Sequence, residues 1–288
     1  MKNVVQCTTH LGMFLTYVFT VYYASNYLHI PMLAETFKKF DPGQLKYLTV
    51  WNVVRILLVT FHAISCLQFA FAVHYDYMYV VIPRSAARAD GVTGGKFKYL
   101  TFWNAILQAV FFLICLLNDM FGTDAVNPKK PPLIRRVKDY FHATFSFPVS
   151  MFVGATFWGL MFVDRELVLP KAVDPYFPSW LNHLMHTLIM VSTVLEMIMA
   201  PRAYPTRSQG LTGLTGFMLT YLIWMHVVYF KSGIWTYPVM DVLNFPLRIV
   251  FFLVLLSFCT ILYIVGEKFD SAVWRKGSQQ KKAHSKSK

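Results

Sequence analysis

The stretch Pro246-Leu247-Arg248-Ile249-Val250-Phe251-Phe252-Leu253-Val254-Leu255-Leu256-Ser257-Phe258-Cys259-Thr260-Ile261-Leu262-Tyr263-Ile264-Val265 holds one charged residue, Arg248, near its start. A helix that spans the hydrocarbon of a bilayer needs about 20 mostly apolar residues, whereas a barrel strand needs about ten. The run has the helix length. Six others of the same kind precede it: Leu11–Ile30, Ile56–Ile82, Tyr99–Leu117, Phe141–Val163, Trp180–Ala200 and Leu211–Phe230. Inside a bilayer a helix satisfies its own backbone hydrogen bonds. The expected fold is therefore all-α, a transmembrane helix bundle of seven spans. The connectors carry the breakers Asp41-Pro42-Gly43, Asn127-Pro128, Asp174-Pro175 and Tyr204-Pro205, and none is long enough to hold a second domain.

Composition points the same way. The 288 residues are 56% hydrophobic and 14% charged, against about 25% charged in soluble domains, which excludes an ordinary soluble globule. The net charge of +13 is explained by location rather than by a nucleic-acid partner. Eighteen of the 27 Lys and Arg residues fall on one set of alternate connectors and the tail, and nine on the other. The richer side is expected to be cytoplasmic, with the C-terminus inside and the N-terminus outside. The basic tail, 267–288, is expected to attract anionic lipid. It lacks a clean dilysine retrieval signal, because Lys286 is third from the end behind Ser285 and His284, so endoplasmic reticulum and plasma membrane are both open. The run Leu11–Ile30 exceeds the 7–15-residue apolar core of a signal peptide and reads as a retained span. Cys7, Cys66, Cys115 and Cys259 lie in or beside apolar runs without paired spacing, which favours thiols packed among helices.

One heptapeptide is repeated. Lys46-Tyr47-Leu48-Thr49-Val50-Trp51-Asn52 recurs as Lys98-Tyr99-Leu100-Thr101-Phe102-Trp103-Asn104, identical in six of seven places and 52 residues later. Each copy follows one span and opens the next, so one crossing separates them and Thr49 and Thr101 face opposite sides of the membrane. The most notable polar cluster is Trp180-Leu181-Asn182-His183-Leu184-Met185-His186-Thr187. The third and fifth spans run in the same direction, which puts Thr101 and His186 in the same half of the bilayer, although His186 lies further into its run. A hydroxyl beside a histidine base can attack an acyl carbonyl. The competing reading is structural: Thr101 bonding its own helix and His186 bonding a neighbouring one.

From Lys98 onward the chain resembles the androgen-induced gene 1 family, also called the androgen-dependent TFPI-regulating protein family, of multipass membrane hydrolases. The resemblance is carried by Lys98-Tyr99-Leu100-Thr101, Gln108-Ala109-Val110-Phe111-Phe112, Phe147-Pro148-Val149 and Asp164-Arg165-Glu166-Leu167. It continues through Pro170-Lys171, the Trp180-to-Thr187 string, Tyr204-Pro205-Thr206-Arg207, Trp235-Thr236-Tyr237-Pro238 and Gly266-Glu267. It implies hydrolysis of fatty acid esters of hydroxy fatty acids by a threonine nucleophile and a histidine, at Thr101 and His186, with no cofactor. His183, Asn182 and Asn104 are then candidate substrate contacts or oxyanion donors. Residues 1–55 look like an extra copy of the first span with its threonine phrase, residues 56–266 like the hydrolase bundle, and 267–288 like a basic tail.

Two other classes compete. His74, Asp76, His183, His186 and His226 approach the same half of the membrane, and three histidines with a carboxylate can bind zinc and activate water. A transporter or seven-helix receptor is the non-enzymatic alternative, with Arg55 and Glu196 the nearest approach to mid-membrane charges. Membrane lipids and a lipid substrate are the expected partners, and the oligomeric state is open.

Overall fold

The computed structural model describes residues 42–86, 93–125 and 128–275. The run Leu11–Ile30, the tail beyond Arg275 and the side chain of Thr49 lie outside the described residues. Among the described residues the chain is helical and contains no strand. Six helices are long and apolar enough to cross a membrane: Arg55–Tyr79, Leu100–Phe121, Leu133–Val163, Ser179–Met199, Arg207–Ser232 and Phe245–Trp274. They match the last six expected runs and are called α1 to α6, with α1 extending back to Pro42.

The two copies of the repeated heptapeptide adopt different backbones. The first lies wholly within α1. In the second, Lys98 closes the 3-10 turn Gly95–Lys98, Tyr99 is extended, and the helix begins only at Leu100. The cause is upstream. Gly94 and Gly95 have φ of 96° and 51°, a left-handed conformation that L side chains rarely adopt, so the chain turns sharply just before the motif. Further along, Thr206 caps α5 by accepting from Gln209 N and Asn244 caps α6 by accepting from Leu247 N.

By contacts the chain divides into Met1–Ser65 and Cys66–Lys288. Within the second unit α3 is central: it packs against α2, α4 and α6, and its π turn His142–Ser146 packs against α5. Phe69 of α1 stacks on Phe112 of α2, with ring centroids 5.9 Å apart, and Phe71 and Tyr75 of α1 meet Trp180 of α4. A buried polar ladder joins α2 to α3. Gln108 Nε2 donates to Asn104 Oδ1 (3.1 Å) and Ser146 Oγ donates to Gln108 Oε1 (2.7 Å). Cys66, Cys115 and Cys259 are free thiols.

Charges gather where α2 ends and α3 begins. Arg135 pairs with Asp139 at 2.8 Å and Asp124 at 3.4 Å, and Lys138 pairs with Asp124 at 2.5 Å and Glu196 at 3.8 Å. Arg202 reaches Asp270 at 3.2 Å and Glu196 at 3.8 Å. Glu196 thus belongs to an ion network that ties α3, α4 and α6 together, which withdraws it as a mid-membrane transport charge. Removing one partner of a buried pair leaves the other charge uncompensated and costs roughly 3–5 kcal/mol. Arg202→Met is therefore expected to lower the melting midpoint of the detergent-purified protein strongly, and an unchanged midpoint would contradict the network's structural role.

Candidate active site

Thr101 is the second residue of α2, and its position is fixed from several directions. The Leu100 N–H donates to the hydroxyls of Tyr221 and Tyr237, each at 3.0 Å, and Tyr221 donates its own proton to Lys98 O at 2.8 Å. Trp103 and Trp224 both donate ring N–H bonds to Phe97 O, at 2.6 and 2.9 Å. The Leu100 N–H, a donor that the start of a helix leaves unpaired, is here met by side chains of α5 and of the loop after it, and the carbonyls of the preceding turn by Trp103, Tyr221 and Trp224.

The Thr101 hydroxyl lies 3.2 Å from His186 Nε2. His186 falls in a π turn, Leu184–Leu188, that interrupts α4, a widening of the helix that recurs at functional sites. Its Nδ1 is 3.0 Å from the Asn182 carbonyl oxygen. A carbonyl can only accept, so Nδ1 carries the proton and Nε2 presents its lone pair to the threonine hydroxyl. The ring is 5% exposed and stacks on Phe157 with centroids 3.6 Å apart and planes 15° from parallel. Tautomer and orientation are thus both set for accepting a proton. The expected difference in depth between the two residues is taken up by where the helices begin: α2 starts one residue before Thr101, whereas α4 starts at Ser179, two turns before His186.

Close approach of α3 to this turn depends on Gly154. A Cβ there would lie 2.6 Å from His186 O and would also clash with the Met190 sulfur. The obstacle at His186 is backbone, so the helices must part. Gly154→Ala is expected to lower the melting midpoint of the detergent-purified protein as α3 and α4 are forced apart; a midpoint equal to wild type would show that the two helices tolerate separation there.

Two cavities meet at Thr101. One, of about 470 Å³, is lined by Asp76, Lys96, Glu166, Phe177, His186 and Thr236 among others; Lys96 pairs with Asp76 at 3.1 Å. The other, of about 430 Å³, is lined largely by apolar groups such as Phe152, Met218, Leu222, Phe252 and Leu256. Thr101, Phe157, Val168 and Tyr237 line both.

The remaining sequence candidates take other places. His183 is exposed, stacks on Trp158 at 5.5 Å and places Nδ1 3.3 Å from Thr187 Oγ1, so it faces away from both cavities. Asn182 contributes its main-chain carbonyl to His186 rather than its side chain to a substrate. The Asn104 side chain is buried between α2 and α3, where its Oδ1 accepts from Gln108 and Ser150. Spacing along a helix gives the face of a residue only to within the rotation of that helix against its neighbours, which is why these placements could not be read from the motif spacing alone. The five proposed zinc ligands do not converge. His183 faces outward, His74 is exposed, and His226 packs edge-on against Trp235 with Nδ1 2.8 Å from Leu222 O. Sequence reasoning did not anticipate Phe157, Gly154, Tyr221 or Tyr237 at the site. The only signal for Tyr237 was the Trp235-Thr236-Tyr237-Pro238 string, which came without a chemical role.

The FAR-17a/AIG1-like protein family matches residues 59–271. The chain is 35% identical over 187 residues to the human androgen-induced gene 1 protein, covering 63% of this chain and 79% of that one. It is 40% identical over 182 residues to the androgen-dependent TFPI-regulating protein of Mesocricetus auratus, covering 63% and 78%. Against the human androgen-dependent TFPI-regulating protein the identity is 34% over 189 residues, covering 66% and 82%. No solved structure matches.

Proposed function

We propose a hydrolytic function from this premise: the chain belongs to the FAR-17a/AIG1-like family of multi-pass membrane proteins, and its Thr101–His186 pair has the geometry of a nucleophile and its base. The substrate class is fatty acid esters of hydroxy fatty acids, as the resemblance of the motifs implies. The observation that carries the reading is the hydrogen-bond relay from Thr101 through His186 to the Asn182 carbonyl. In it the imidazole is held as the tautomer that can take a proton from the hydroxyl.

The reaction runs in two halves. His186 Nε2 accepts the Thr101 proton as the threonine oxygen bonds to the ester carbonyl carbon. The carbon–oxygen bond to the hydroxy acid then breaks, and that oxygen leaves with the proton from His186. Water attacks the acyl-threonine, His186 takes a proton from it, and the threonine oxygen leaves reprotonated. The sum is ester plus water giving a fatty acid and a hydroxy fatty acid. The two cavities suit a substrate with two chains: the apolar one accommodates the acyl chain, and the more polar one accommodates the hydroxy acid half. On the charge asymmetry of the connectors, the site faces the lumenal or outer side and the ion network of Arg135 and Arg202 faces the cytoplasm.

Purified protein is expected to hydrolyse a branched fatty acid ester and to be labelled at Thr101 by a fluorophosphonate probe. A preparation that is folded by its melting curve, hydrolyses no ester and takes up no probe would sink the reading.

A further inference from the structure

The hydrolytic mechanism above lacks a group to stabilise the negative oxygen that develops on the substrate carbonyl, usually the largest single electrostatic contribution to such a reaction. The side-chain candidates from the sequence, Asn104 and Asn182, line neither cavity. The loop Trp235-Thr236-Tyr237-Pro238, on the other hand, reaches the start of α2 and has no part in the proton relay.

Counting protons around Leu100 identifies the available donor. Tyr221 has one hydroxyl proton, and it goes to Lys98 O, a carbonyl that can only accept. The Tyr221 and Tyr237 oxygens are 3.1 Å apart, so a hydrogen bond between them must use the Tyr237 proton. The Leu100 N–H is shared between the two oxygens. Tyr237 therefore has its oxygen anchored by a backbone donor, while its proton has only a neutral hydroxyl as acceptor. An oxyanion is a much stronger acceptor and would draw that proton away. The ring is braced by Tyr99, with centroids 6.1 Å apart, and the residue lines both cavities where they meet at Thr101. A second observation marks this corner as a ligand site. Thr236 is 3% exposed, lines the cavity with Lys96, and its hydroxyl has no hydrogen-bond partner.

We propose that Tyr237 is a further catalytic residue, whose hydroxyl turns from Tyr221 to donate a hydrogen bond to the carbonyl oxygen as Thr101 attacks, so that the tetrahedral oxyanion is held at the start of α2. The inference rests on the hydrolase reading. The first turn of α2 lends the positive end of its dipole to the same position. Burial raises the Tyr237 phenol above its ordinary pKa, which keeps the donor protonated.

The test compares wild type, Thr101→Ala and Tyr237→Phe on one branched fatty acid ester. Loss of one oxyanion donor lowers kcat by on the order of 10²–10³, so Tyr237→Phe should show that fall in kcat with KM within about threefold. An active Thr101→Ala overturns the hydrolase reading and this inference with it. An inactive Thr101→Ala beside a Tyr237→Phe variant of near wild-type kcat overturns this inference alone. If Tyr237→Phe fails to fold, a ring-fluorinated tyrosine placed at position 237 decides, because it keeps the shape and lowers the phenol pKa. A deprotonated phenol cannot donate, so the fall of kcat at high pH must begin at lower pH than in wild type. The other ionisable groups around the site, Lys96, Asp76, Tyr99, Glu166, Asp241, His186, Tyr221 and His226, are common to both proteins. A pH profile that does not move overturns the assignment.

Discussion

Thr101→Ala is expected to reduce ester hydrolysis by on the order of 10⁴-fold, the scale on which nucleophile removal acts in acyl-transfer enzymes. Thr49→Ala should leave it within about threefold of wild type, as substitutions away from a site generally do. The two threonines stand in nearly identical heptapeptides, so local sequence does not distinguish them. What distinguishes Thr101 is the 3.2 Å contact that it makes with His186; Thr49 is expected at the other face of the membrane. The substitution removes only a hydroxyl and a methyl group from a half-buried position, and Leu100 keeps its anchors on Tyr221 and Tyr237, so the melting midpoint should be preserved. Fluorophosphonate labelling should disappear with the activity. The reverse pattern, with Thr49→Ala inactive and Thr101→Ala active, would remove both the site and the topology.

His186→Gln is expected to cost about 10³-fold or more in kcat, with loss of labelling at Thr101, because the hydroxyl then has no base to take its proton. His183→Ala provides the contrast. That imidazole stacks on Trp158 and lines neither cavity, so its removal should change kcat by no more than about threefold. Parallel rate measurements on the two variants separate the histidines of one motif. Equal losses would mean that the motif acts as a unit and that the outward face of His183 is also functional.

Much of this organisation was legible in the sequence. Runs near 20 apolar residues specify spanning helices because no other open structure satisfies its backbone in hydrocarbon, and the last six expected runs are helices among the described residues. The direction of alternate spans was enough to expect Thr101 beside His186, and the two lie 3.2 Å apart. The neighbours of that pair were much less legible. Asn104 and Asn182 were plausible donors on spacing, yet one is locked into the ladder with Gln108 and Ser150, and the other serves through its carbonyl. Glu196, with Arg55 the nearest approach to a mid-membrane charge, is held by Lys138 and Arg202.

The sequence alone determined the helical class and the order of the spans, since these follow from hydropathy along one chain. Only the tertiary structure decided the stacking of His186 on Phe157, the meeting of two cavities at Thr101 and the arrival of Tyr221 and Tyr237 at Leu100. The stacking joins residues 29 positions apart and the tyrosine contacts residues more than a hundred apart. They depend on how far each helix is turned and shifted against its neighbours, which a π turn or a glycine such as Gly154 alters without leaving a periodic signal in the sequence.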